Sequence, residues 1–209
     1  MSLDKTCNGK QMALWGITDA DEAKPKWLTD AQKKEVFANN SGWVVEGGSI
    51  QTGNGNADAQ PEVLCCIGQL ATGIGAADIT QIEFITTAFD KSDGGNIDVR
   101  VRFNEAVTVN TSGGTPTLAI TNGNQGTGSG RGPHSAAFLS GSGSNELVFR
   151  VTIAAGNAAT NADDVLVIGA NPLALNSGTI KDTADGSTNA TITSSADIGT
   201  AAGSITVTA

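Results

Sequence analysis

"NIDVRVRFNEAVTVNTSGGTPTLAI", residues Asn96 to Ile120, decides the fold. Ile97, Val99, Val101 and Phe103 share one parity, while Asp98, Arg100 and Arg102 share the other, which is the two-residue period of a half-buried strand. The run breaks at "NTSGGTP", where Gly and Pro set a turn, and a further apolar stretch follows it. "NELVFRVTI" repeats the pattern, with Leu147, Phe149, Val151 and Ile153 opposed to Glu146, Arg150 and Thr152. Two such strands with acids and arginines on the wet face predict a solvated surface held by cross-strand ion pairs. Weaker strands are expected at "TQIEFIT", "AVTV", "TLAIT", "SAAFL", "DVLVIG", "ATIT" and "SITVT", a spacing that suits a β-sandwich from residue 79 onward.

Composition agrees with that reading. The chain has 209 residues, of which 39% are hydrophobic and 27 are glycine, and it lacks the Leu, Glu and Lys runs of a helical bundle. Its formal charge of -9 and pI near 4.4 disfavour a phosphate backbone as partner, so nucleic acid is not expected to bind. Lys5 and Lys10 precede no apolar run of signal-peptide length, and no segment approaches a membrane span, so the expectation is a protein made and assembled in the cytoplasm, with no membrane partner.

Residues 1–78 read as a different, mixed module. "WLTDAQKKEVFANNSG" predicts a short helix with Thr29 as N-cap and Gln32 at the capping-box position, closed by Asn39, Asn40 and Gly42. "GWVVEGGS" and "PEVLCCIGQL" predict strands on either side of the polar loop "IQTGNGNADAQ". Trp15, Trp27 and Trp43 all fall in this module, either as its small core or, for one of them, as an anchor for a partner. Pro25 disfavours helix at Lys24, so Asp19 to Lys26 is expected as an extended, exposed arm. Trp15, Lys24, Pro25, Lys26 and Trp27 are therefore the candidate partner-binding residues.

Residues able to do chemistry are few. The chain has no Tyr and a single histidine, His134, which reads as a loop residue beside "NGNQGTGSGRG", a Gly-rich run without the Lys-Ser/Thr of a phosphate loop. No catalytic residue is assigned, and an enzyme is not expected. "DKSDGGNID" departs from a calcium loop, since Asp90 and Asp93 miss the alternate spacing and Val101 stands at the twelfth position. Asp163, Asp164, Asp182 and Asp185 offer oxygen ligands at a sandwich edge, but no metal or other cofactor is assigned. Cys65 and Cys66 are adjacent, so a strand sends them to opposite faces as reduced thiols.

Two resemblances rest on these residues. "GNIDVRVRFNEAVTV", "GTPTLAI", "AAFLSGSGSNELVFRVTIAAGN" and "LALNSGTIKDTADG" together resemble an Ig-like repeat found in bacterial surface proteins and in virion proteins of marine phages. Asn157 stands where that family more often has Asp, and "DTADG" replaces its "DAAGN", which weakens an inherited calcium site. "MALWGITDADEAKPKWLTDAQKKEVFANNSGWV" with "PEVLCCIGQL" is similar to the N-terminal region of small structural proteins of tailed marine phages. The resemblances imply a mainly β protein with a mixed docking module, residues 1–78, and an Ig-like antiparallel β-sandwich, residues 79–209. They imply a non-enzymatic virion protein, a capsid decoration or cement protein that contacts the major capsid protein and copies of itself around a symmetry axis. A tail, neck or fibre component, or an adhesin-like module binding a receptor or carbohydrate, is the alternative.

Overall fold

The structure is a computed structural model that describes residues 24–25, 27–49, 55–123, 133–157 and 160–209. The chain is mainly β and divides into two compact units, Met1–Ala76 and Ala77–Ala209.

The first unit begins, among the described residues, with α1 (Asp30–Glu35), whose capping box forms as the spacing requires. Gln32 N–H donates to Thr29 Oγ1 at 3.2 Å, and Thr29 N–H donates to Gln32 Oε1 at 2.9 Å. The helix stops three residues earlier than the Asn-Asn-Gly signal suggested. β1 (Val36–Asn39) follows without a loop and pairs antiparallel with β2 (Gly42–Val45). Val36, Phe37 and Ala38 are buried by that pairing, and a β-branched and an aromatic residue favour the strand over another helical turn. Gly42 thus belongs to a hairpin, with φ at +134° and a carbonyl, that of Cys65, where a Cβ would stand. β3 (Glu62–Cys66) pairs with β2 through a bulge, and α2 (Leu70–Gly73) closes the unit, burying Leu70 and Ala71.

The second unit opens with β4 (Ile79–Phe84), β5 (Phe89–Asp90) and β6 (Gly95–Asn110). It continues through β7 (Thr117–Gly123), β8 (His134–Ser140), β9 (Ser144–Ile153), β10 (Val165–Val167), β11 (Leu173–Ala174) and β12 (Thr179–Asp182), then α3 (Ala196–Ala201) and β13 (Ser204–Thr208). "NIDVRVRF" and "AVTV" are not two strands but one, β6, which changes partners along its edge: residues 99–103 pair with β4 and residues 107–110 with β12. "ATIT" forms only an isolated bridge, Asp78 to Thr191, next to a second one between Lys181 and Asn189. β5, β11, β12 and α3 carry too little periodicity to be read in sequence.

Pairing runs β4–β6–β9–β8–β7 and then β7–β10–β13–β5, antiparallel throughout except where β13 meets β5 in parallel. β7 passes from one set to the other, since residues 117–120 pair with β8 and residues 121–123 with β10. Apolar residues from both sets of strands, including Ile97, Val99, Val101, Phe103, Leu147 and Phe149 with Leu166, Ile205, Val207 and Phe89, form one core. The alternation in "NIDVRVRF" therefore reports a real inner face.

The register also fixes the ends of this unit. Asp78 bonds to Asn104 late in β6, whereas Thr208 aligns with Asp90, just before β6 starts. Nine residues of strand separate Gly95 from Asn104, so the beginning and the end of the unit lie roughly 30 Å apart at opposite poles.

Candidate docking surface

Of the five sequence-assigned residues, Lys24, Pro25 and Trp27 are described, while Trp15 and Lys26 lie outside the described residues. Pro25 is buried, not part of an exposed arm, and its carbonyl accepts the Leu28 N–H at 3.2 Å, which folds the chain into a turn before α1. The Lys24 ammonium donates to the Lys33 carbonyl. That carbonyl is among the last four of the helix, which lack intrahelical donors, so Lys24 serves its own module there. As a candidate partner-binding residue, Lys24 is therefore already engaged within its own module.

Trp27 is the residue the turn leaves outside, at 51% exposure. It borders two shallow hollows that meet at Leu64. One, of about 570 Å³, is lined by Trp27, Leu64, Cys65 and Cys66, and the other, of about 350 Å³, by Trp27, Leu28, Gln32, Val36, Val45, Glu62 and Leu64. Val63 on the same strand is 43% exposed. β3 is thus a strand with one inward residue, Cys65, and exposed apolar neighbours. Sequence reading missed Val63 and Leu64, although "EVLCC" carries more apolar residues than a single buried face can use. The opposite facing of Cys65, buried, and Cys66, exposed, follows the strand parity. Burial, and then the neighbouring Cys66 thiol, pushes the Cys65 thiol up from its ordinary value. Trp43, the other described tryptophan, is fully buried, so the three tryptophans do not share one role.

Three of the acids that could serve as oxygen ligands in the second unit, Asp90, Asp182 and Asp185, are engaged within the chain. Asp90 Oδ1 accepts from Ser92 N–H and Oγ, each at 2.8 Å, and Asp185 accepts from Ser187 and Thr188, bonds that hold its carboxyl down to about 2. Asp182 is buried, and desolvation pushes its carboxyl up. Among the described residues no group of three or more His, Cys, Asp or Glu side chains is placed to hold a metal ion.

His134 is not a loop residue. It opens β8, is buried, and places Nε2 2.9 Å from Thr160 Oγ1. Thr160 is fully buried and His134 nearly so, and the hydroxyl is therefore not presented to a substrate.

Comparison of the chain with models of protein families, with curated proteins and with solved structures found no match in any of the three.

Proposed function

We propose that the chain is a structural protein of a phage virion, most specifically a capsid decoration protein whose first unit docks on the head shell and whose second unit is an Ig-like sandwich displayed outward. What supports the Ig-like reading is the order of pairing. β4–β6–β9–β8 corresponds to strands A, B, E and D of that fold, and β7–β10–β13 to C, F and G. The parallel pairing of β5 with β13 supports the same reading, since it is what a split first strand beside the last strand would give. The long β10–β13 connection, which adds β11, β12 and α3, is this chain's elaboration.

The observation that carries the docking assignment is Trp27, a large aromatic held outside by a turn and set beside Leu64. Tryptophan in an apolar hollow supplies affinity at little conformational cost, the usual make-up of an interface anchor. The outward unit would need only stability, and its charged face is already neutralised within itself. Carbohydrate binding is the weaker reading, since Phe89, Phe103 and Phe149 are buried and offer no stacking surface. The test is sedimentation of the full chain with purified virion heads, with Trp27→Ala as the comparison and cryo-electron microscopy to locate bound copies. Binding to tails and not heads, or no binding at all, overturns the decoration reading.

A further inference from the structure

We propose that His134 is an acid-released clasp at the pole of the second unit where β13 ends. Its bond to Thr160 ties the first residue of β8 to the segment between β9 and β10. Four residues further on, the fully buried Asp164 accepts Asn122 Nδ2 at 3.1 Å, from the end of β7, and the Asn161 N–H at 2.8 Å. The Asp164 carbonyl accepts the Val207 N–H at 2.8 Å, and the Asp163 N–H donates to the Val207 carbonyl at 2.9 Å. One short segment thereby joins β7, β8 and β13, and the imidazole closes it.

Among the described residues, the charged groups around the ring are few. Asp164 is the one whose field reaches the imidazole, Asp163 is next to it in the chain, and Lys91 Nζ lies 3.2 Å from Asn161 Oδ1. β7, β10 and β13 contain no ionisable residue, and β8 contains none besides His134. Burial therefore dominates and pushes the imidazolium pKa down, with Asp164 offsetting part of the effect. A native pKa below the unfolded value means that the opened form binds more protons once the pH falls below about 6.5. The contribution of the closed clasp is intact above that value and is lost as pH falls through it toward the native pKa. The core pairs of β6 with β9 contain no such group, so loosening stays local.

The chain has a single histidine, which makes its imidazole proton signals unambiguous in NMR. Their titration should give a midpoint below that of free histidine. Amide exchange in the full chain, expressed as protection factors, should show Val207 losing protection between about pH 7 and about pH 5, the range in which an imidazole takes up its proton. Val99 and Phe149, in the β6–β9 ladder, should change little. His134→Gln, which keeps a polar group toward Thr160, should abolish the acid-dependent loss at Val207. An imidazole titrating at or above the free value overturns the proposal, even if the variant fails to fold. So does equal loss at Val207 and Val99, or an unchanged acid response in His134→Gln.

Discussion

Arg102 and Glu146 sit opposite one another on β6 and β9, with Arg102 Nε 2.5 Å from Glu146 Oε1, and the guanidinium side chain is only 10% exposed. Arg100 Nη1 reaches the other oxygen of the same carboxylate at 3.0 Å, and Arg100 Nε holds Glu83 of β4 at 2.8 Å. Gln81 accepts from Arg102 Nη1 at 2.7 Å, and Arg150 grips Asp98 with two bonds of 2.6 Å each. Three arginines and three acids on adjacent strands thus neutralise one another. A half-buried charge is tolerated when its partners and hydrogen bonds are in place, and removal of one member leaves the rest uncompensated.

Glu146→Gln should accordingly destabilise the second unit by about 1.5–3 kcal/mol, the range for hydrogen bonds to charged groups. Burial pushes the Glu146 carboxyl up, but Arg102 and Arg100 together outweigh it and hold it below the usual carboxylate value. A depressed native pKa contributes stability that is present above the unfolded value, about 4.3, and is lost as pH falls below it. Denaturant unfolding of both proteins across this range checks the sign: the difference should shrink in acid and be constant near neutrality.

Gly42→Ala should unfold the first unit selectively. The position has φ of +134°, and an added Cβ would lie 1.9 Å from the Cys65 carbonyl oxygen and 2.6 Å from the Ile67 nitrogen, backbone atoms that cannot rotate away. The unfavourable dihedral alone costs about 1–3 kcal/mol. All three tryptophans are at or before position 43, so fluorescence follows this unit without contribution from the other. The emission midpoint should fall while the circular dichroism of the second unit persists.

The two adjacent thiols should differ in reactivity. Cys66 is exposed and should alkylate in the native protein, whereas Cys65 is buried with its thiol pKa raised and should react only on unfolding. Peptide mass spectrometry after a brief treatment with a maleimide resolves the sites. Cys65→Ala should cost about 1–2 kcal/mol through lost burial.

Trp27→Ala separates docking from folding. Half of the side chain is already in solvent, so the first unit should lose less than about 1 kcal/mol. Affinity for the particle should fall by about 2 kcal/mol or more, roughly thirtyfold, as expected for an aromatic anchor. Calorimetry on purified heads measures the second quantity, and thermal unfolding the first.

The inner faces of β6 and β9 were legible because they run long enough for alternation to repeat, and burial on one side enforces it. The capping box at Thr29 and Gln32 was legible because both bonds are local. What escaped has a common cause. The switch from α1 to β1 at Val36 is decided by hairpin pairing with Val45, a contact absent from the window around Val36. β5 and β11 are two residues each and exist only through partners far along the chain, Val207 and Leu118 respectively. His134 looked like a loop residue because its neighbours are glycines, while its surroundings come from Thr160 and Asp164. At the candidate surface Trp27 was visible as a residue type, but the reversal of Lys24 onto its own helix required the turn at Pro25 to be seen.

The opposite placement of the second unit's two ends has a mechanical consequence. Tension applied between Ala77 and Ala209 would pull β4 and β13 along their own axes in opposite senses. The Lys91 N–H to Thr208 carbonyl bond of 3.0 Å and the β10–β13 pairs would then be sheared together, not peeled one by one. Bonds loaded in parallel share the force, so resistance should depend strongly on pulling direction. The unit would hold best along the line through its ends and open more readily when pulled through residues within a single hairpin, such as those of β7 and β8.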